Sequence, residues 1–495
     1  MTPTPPSGGQ RVLMVAALLA IYMQGVNISI PNAALPHMQG TLSMADDEIG
    51  WIFTAYVTAS LVTLPLTRWL AGRFGRKAVL LGSLVLFSLG LVLDARAGTS
   101  GQLILARILQ GAASGPLGAR ALAILLDLAP PARHARIGLA STACGLFGIS
   151  SGPPIGGWLS EYHGWPSIFH ASLPLAGFVF LAMALWLPGK RAPQSPPFDF
   201  FGLATFSLGI VGLQLLLDRG ERLEWFASPE IWAEAAAAML GFSLFIVHIL
   251  TAGAHFLDKA LFRDRNFVLS TLIAFAAGFV LLPTLALTSP MLEDLFAYPV
   301  DTTGYMAVPR GVALVGVLIL AGWVPARIDS RALVVAGTAL VVYANWRMLG
   351  YSPAMDWRPV VLAGALQGAG LGLLLPALGR VAFSTLDRTA HPEGAVLFNL
   401  SRLYGSTIGI AVVQIFFYGN TQAMHLALAR NLTPYRAAAH SVASASGPAL
   451  ALINEVVTGQ AATVAIIGQF KILMLVMLAA APLALFLRAP RPSDR

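Results

Sequence analysis

The sequence predicts an all-α integral membrane protein with about fourteen transmembrane helices, and three observations predict it. Hydrophobic residues make up 56% of the 495 and charged residues only 11%, with a mean hydropathy of +0.72. A soluble protein carries roughly 25% charged residues, so most of this surface must face something other than water. Fifty-six per cent of 495 is about 277 residues, material for about fourteen spans at ~20 apolar residues each. The cations, finally, sit in short loops between apolar runs, so the net charge of +8 orients a membrane protein and does not signal nucleic-acid binding. A multidomain soluble enzyme and a receptor with one anchor are both excluded.

The runs justify themselves in order. The first, 12 to 36, follows the polar tail 1 to 11; it is too long for a signal peptide and lacks a small-residue cleavage site, so it is a retained span. The second, 49 to 71, starts after Asp46, Asp47 and Glu48 and ends in a basic turn before the third, 78 to 97. The fourth, fifth and sixth are 102 to 127, 137 to 159 and 167 to 187. Runs 200 to 217 and 231 to 252, the seventh and eighth, flank DRGERLEWFASPE, whose Trp225 and Phe226 suit a helix end at the membrane interface. The remaining six are 267 to 289, 303 to 324, 332 to 349, 359 to 384, 396 to 419 and 466 to 487. Segment 420 to 465, rich in Ala, Ser and His, reads as an amphipathic or mobile extracytoplasmic loop, with partner docking as the alternative.

One set of alternate loops holds Arg73, Arg76 and Lys77; Arg133 and Arg136; Lys190 and Arg191; Lys259, Arg263 and Arg265; Arg327 and Arg331; and Arg388. Arg488, Arg491 and Arg495 follow the last span. The opposite loops hold Asp46, Asp47, Glu48, Glu161, Glu221 and Glu224, with Arg219 and Arg222 as exceptions. The positive-inside rule then puts both termini in the cytoplasm with an even number of spans. The single cysteine, Cys144, excludes a disulfide framework. Neither a P-loop nor a metal-ligand spacing such as H-E-x-x-H occurs, so no metal is expected and no cofactor beyond a proton gradient.

Three motifs carry the functional signal. WLAGRFGRKAVLL, 69 to 81, joins the second and third spans and contains Gly75, Arg76 and Lys77. LARILQGAASGPLGAR, 105 to 120, lies on the fourth span, and GISSGPPIGG on the fifth supplies Gly148, Gly152, Pro153, Gly156 and Gly157. In this order they resemble the loop motif, the R-x-x-Q-G motif and the antiporter motif of the major facilitator superfamily. YMQGVNISIPNAALPHMQG on the first span and FNLSRLYGSTIGIAV on the thirteenth resemble the fourteen-helix drug:proton antiporter branch, and LQLLLDRGERLEWF is similar to its EmrB-type multidrug exporters.

That resemblance implies two six-helix bundles, 12 to 188 and 267 to 488, with two further helices inserted within 189 to 266 and a cytoplasmic tail at 489 to 495. It implies an inner-membrane proton antiporter that exports hydrophobic or amphipathic drugs by alternating access, working with a periplasmic membrane-fusion adaptor and an outer-membrane channel. Departures stand beside the matches. Arg68 and Gly72 occupy positions where the loop motif has Gly and an acid. Asn27 stands where the branch usually has Asp, and an amide neither takes nor releases a proton in this range.

Ionisable residues within spans cost on the order of 2.5 to 3.5 kcal/mol each and are functional candidates by default. Arg107 leads, with Gln110 near the same helical face. With Asn27 neutral, the acids open as proton carriers are Asp218, then Asp46, Asp47 and Glu48, then Asp94 and Asp127. A drug cavity should be apolar with a few polar anchors; Gln24, Asn27, Asn32, Tyr56, Phe147 and Gln367 are the candidates, with Asn399 and Arg402 of the thirteenth-span N-x-x-R. Arg310 is a further intramembrane cation and His248 a lone histidine at a helix contact. The rival readings are a dedicated metabolite exporter or uncoupled facilitator, favoured by Asn27, and a membrane enzyme, for which no acid, base and nucleophile cluster at one interface.

Overall fold

The computed structural model describes residues 7–45, 48–189, 198–251, 257–323, 329–430 and 447–488. Among them every regular element is helical, as a bilayer demands of a chain whose backbone donors and acceptors must be satisfied within each segment. Eleven helical stretches are long and apolar enough to cross a membrane. Three more lie where the sequence placed spans: Trp51–Thr63 continued by Thr67–Phe74, His134–His163, and Ser330–Met348. The arrangement is consistent with about fourteen crossings.

The first span differs from expectation at both ends. It starts at Gly8, where Ser7 and Gln10 form a reciprocal capping box that satisfies two end donors. It breaks after Ser29 into a 3-10 turn, Ile30–Ala34, and resumes as Leu35–Leu42, because Pro31 and Pro36 bring no N–H to the ladder. The expected loop 420 to 465 is a larger correction. The thirteenth span runs His391–Ala429 and the fourteenth Gly447–Leu485, 39 residues each. At 1.5 Å per residue each is about 58 Å long against a ~30 Å hydrocarbon layer. Both flanks of that segment are therefore helix, meeting where His425 Nε2 lies 3.0 Å from Asn454 Oδ1. Its middle falls outside the described residues, as do Asp46, Asp47, Lys190, Arg191, Arg327, Arg491 and Arg495.

Packing repeats between the halves. The first span packs on the fifth and the second and third on the fourth; likewise the ninth packs on the thirteenth and the tenth and eleventh on the twelfth. The halves meet where the fifth span packs on the tenth and the second on the thirteenth. The inserted pair, Phe200–Arg219 and Pro229–Thr251, packs on itself and touches the second and thirteenth spans. The two basic exceptions to the loop pattern are paired locally: Arg219 with Glu230 and Glu234, Arg222 with Glu48. His248 is not lone, since its Nε2 lies 2.8 Å from Asp199 Oδ1.

Candidate functional site: two buried arginine nodes

The R-x-x-Q spacing sets Arg107 and Gln110 on one face of the fourth span, and that face turns inward: both are 0% exposed. A buried guanidinium must spend its N–H groups on acceptors. Arg107 Nε donates to the Ile52 carbonyl of the second span at 3.2 Å, Nη2 to the Asn27 carbonyl of the first at 3.0 Å, and Nη1 to Gln110 Oε1 at 2.6 Å. Gln110 Nε2 then donates to Asn27 Oδ1 at 3.1 Å, and Asn27 Nδ2 donates to the Met23 carbonyl and to Ser172 Oγ of the sixth-span segment. One guanidinium thus ties three spans and, through Asn27, a fourth.

Aromatic faces complete the enclosure. The Arg107 Cζ lies 5.0 Å from the Tyr56 ring centroid and 5.5 Å from that of Phe169, a placement that attracts the cation to both rings. Tyr56 donates to Ser114 Oγ at 2.7 Å, and Gln24 Nε2 to the Ser114 carbonyl at 3.2 Å. Asp94, in the last turn of the third span, is also fully buried, yet neither carboxylate oxygen has a hydrogen-bond partner.

The second half contains a counterpart. Arg310 Nε donates to Gln367 Oε1 at 2.8 Å and Nη2 to the Leu281 carbonyl at 2.8 Å; Gln367 Nε2 donates to Thr284 Oγ1 and Asn345 Oδ1. The close approaches share one register. Gly111 lies against the Tyr56 carbonyl and Gly115 against that of Ser60; Gly368 lies against the Arg310 carbonyl and Gly372 against that of Leu314. Gln110 and Gln367 are therefore equivalent, while the arginine has changed helix: Arg310 stands at the place of Tyr56, and Gly364 at that of Arg107.

The loop motif ties neighbouring spans at the basic end. Gly75 has φ +90°, a region that favours glycine, and there the chain turns into the third span. Arg76 Nη1 reaches Asp127 Oδ2 of the fourth span at 2.7 Å and Lys77 Nζ donates to the Ala184 carbonyl at 2.6 Å, so the motif's cations bond to the fourth and sixth spans although Arg68 and Gly72 depart from the motif. The fifth-span motif is a seam. Gly148 and Gly156 lie so close to the carbonyls of Tyr22 and Ile30 that a Cβ would collide, and Ser29 Oγ donates to the Ile149 carbonyl at 2.6 Å beside Gly152. Gly157 lies against the Val300 carbonyl and Pro153 against Gly304, both of the opposite half.

Asp218, Asn32, Phe147, Asn399 and Arg402 do not join the first node. Asp218 accepts from Thr54 Oγ1 and Gln214 Nε2, linking the seventh span to the second. Asn32 is buried with its Oδ1 unpartnered. Phe147 is 49% exposed beside Tyr22. Arg402 donates to Asn399 Oδ1 at 3.0 Å. Tyr56 and Gln367 are held in helix contacts rather than open to a cavity.

Residues 17–410, which include both nodes, match the family model of the Major Facilitator Superfamily. The chain belongs to this superfamily. It is 28% identical over 451 residues to the multidrug export protein EmrB of Escherichia coli strain K12, covering 89% of this chain and 86% of that one. It is 30% identical over 470 residues to the fatty acid resistance protein FarB of Neisseria gonorrhoeae, covering 92% of each. A solved bacterial homolog of the human lysosomal transporter Spinster, inward-facing and occupied, superposes with a TM-score of 0.63 over 97% of both chains at 14% identity, a likeness of fold alone. As a major facilitator protein the chain is a multi-pass membrane protein and a transporter.

Ser172, Asn345 and Thr284 are node residues that sequence reasoning missed. Of the second node, sequence marked Arg310 as an intramembrane cation and Gln367 as a polar residue within a span, without joining them; nothing in sequence marks Ser172, whose role depends on how the sixth-span segment docks.

Proposed function

We propose that this protein is a proton-driven exporter of hydrophobic or amphipathic drugs and toxic compounds, working by alternating access in the inner membrane with both termini cytoplasmic. The observation that carries the reading is the Arg107 node: a buried cation whose bonds join the first, second and fourth spans, so that an exchange of its partners and a movement of those spans go together. Relatives named for multidrug export and fatty acid resistance support substrates with a large apolar part. Arg107 and Gln110 form the coupling centre, while Gln24, Asn32, Phe147, Asn399 and Arg402 are proposed to border the substrate path. A periplasmic adaptor and an outer-membrane channel are proposed as partners, docking on the long helical ends of the thirteenth and fourteenth spans and the segment between them.

Asn27 favours a second reading, a dedicated exporter or facilitator without proton coupling, because both ends of its amide are already committed to hydrogen bonds. Everted vesicles holding a pH gradient separate the two. Adding an exported compound should release protons from the lumen; export that moves no protons and survives an uncoupler establishes the facilitator instead.

A further inference from the structure

Resting on the proton-driven reading, we propose that Asp94 carries the coupled proton, and that its charge decides whether Arg107 stays bonded to the first span. Asp94 is 0% exposed and both its oxygens lack partners. An ionised carboxylate left bare in a low-dielectric interior costs several kcal/mol even after relaxation, whereas the neutral acid costs far less. The geometry suits the protonated acid.

The groups acting on Asp94 are few. The third and fourth spans pack with Gly90 against Gln110, which brings Asp94, four residues on, to the level of Arg107, three residues back; Arg107 and, from the second span, Tyr56 both act on it electrostatically. The segment Ser167–His170 packs on the third span; it turns Phe169 toward Arg107 and leaves His170 exposed. Among the described residues Arg107 is the one cation acting on Asp94. Its guanidinium has five N–H groups, and the bonds found go to Ile52, Asn27 and Gln110.

The switch follows. When the proton leaves an Asp94 oxygen for water, the carboxylate's counter-charge is Arg107, and the pair goes from +1 to neutral. A guanidinium drawn toward the third span lets go of the Asn27 carbonyl and of Gln110, freeing the first span. Reprotonation reverses the exchange, and Arg107 stays a guanidinium throughout. Asp218 offers no such choice, since both its oxygens already accept from neutral donors. Nor does the second node, where Arg310 is bonded to Gln367 and the Leu281 carbonyl and no acid among the described residues acts on it. Coupling therefore belongs to the first bundle, with the second node as a fixed anchor.

Infrared difference spectra of the purified full-length protein in lipid nanodiscs, stepped from acid to alkaline pH, test the carrier. Wild type should lose a protonated-carboxyl band that Asp94→Asn lacks and that Asp94→Glu keeps at a shifted frequency. A wild-type spectrum with no titrating band, or one unchanged in Asp94→Asn, overturns the proposal. In liposomes, wild type should accumulate ethidium against its gradient when a proton gradient is imposed. Asp94→Asn should move it only downhill, at a rate indifferent to pH, and Asp94→Glu should keep gradient-driven transport. Wild-type movement indifferent to the proton gradient overturns the antiport reading itself; a coupled wild type with an equally coupled Asp94→Asn overturns the assignment of Asp94 alone.

Discussion

Arg107 Nη2 reaches the backbone carbonyl of Asn27 at 3.0 Å, so the most buried cation among the described residues of the first bundle is held by the main chain of an amide residue that cannot itself carry a proton. A carbonyl cannot be titrated, so a proton can act on this bond only through another group that competes for the guanidinium.

Arg107→Ala is expected to abolish drug export while the protein still inserts, because it leaves the Ile52 and Asn27 carbonyls and Gln110 without their charged donor. Hydrogen bonds to charged groups contribute about 1.5 to 3 kcal/mol each, so detergent melting should fall as well. Arg107→Lys should also fail, since one ammonium cannot span three acceptors in the plane of the guanidinium fork. Normal efflux in either variant, measured with ethidium in everted vesicles, would remove Arg107 from the coupling centre.

Asn27→Asp places an acid beside Arg107 and removes two amide N–H bonds, to Met23 and Ser172. Each lost bond that strands a buried partner costs about 1 to 3 kcal/mol, so the variant should melt earlier than wild type. Its transport rate plotted against pH should gain a second inflection; a profile that overlays wild type would show that this position takes no part in coupling.

Gln367→Leu strands Arg310 Nε together with the groups it bonds on Thr284 and Asn345. The expected outcome is a loss of stability of about 1 to 3 kcal/mol with the proton-to-substrate ratio unchanged. A changed ratio in reconstituted vesicles would assign coupling to the second bundle too.

Gly75→Ala forces a Cβ onto a backbone at φ +90°, a strain of order 1 to 3 kcal/mol, and should misplace Arg76 and Lys77 and slow transport. Gly82→Ala in the middle of the third span, where a Cβ would meet nothing within 4 Å, is the control expected to transport normally. Equal rates for the two variants would count against a role for the loop motif in transport.

Asp329 and Arg331 cap the eleventh span at the basic end. Hydrogen bonds from Arg331 hold the Asp329 carboxyl below the usual carboxylate range. A depressed folded value means that the contribution is present above the unfolded value, about 3.9, and is lost as pH falls through the folded one. Both side chains are more than a third exposed, so solvent screening keeps the effect small. Asp329→Asn should lower the melting temperature slightly at neutral pH, with the gap closing below about pH 4; a gap that persists in acid would mean the cap acts without its charge.

Most of the fold was legible in the sequence because lipid imposes it locally. Run length, apolar content and the Lys and Arg loops set the spans in order, and the helices found lie on those runs. Misreadings occurred where the controlling fact was local but not apolar: the Pro31 break in the first span, and the polar Ala and Ser segment that continues as helix to Ala429 and resumes at Gly447. His248 looked solitary because its partner, Asp199, lies 49 residues away on the neighbouring inserted helix.

Within the site, Arg107 and Gln110 were legible because a three-residue spacing is a property of one helix. Their partners were not. Ser172 and the Ile52 carbonyl reach the node from other spans, and main-chain acceptors carry no residue-type signal at all. The sequence by itself determined that the protein is a membrane-embedded helical bundle with a basic end and a fourth span carrying Arg107 and Gln110 on one face. Only the tertiary structure decided that Arg310 stands in the place of Tyr56, and that Asp94 is shut away from hydrogen-bond partners beside Arg107. The reason is physical: periodicity encodes which face of a helix is buried, whereas what that face meets is fixed by the packing of helices distant in the chain.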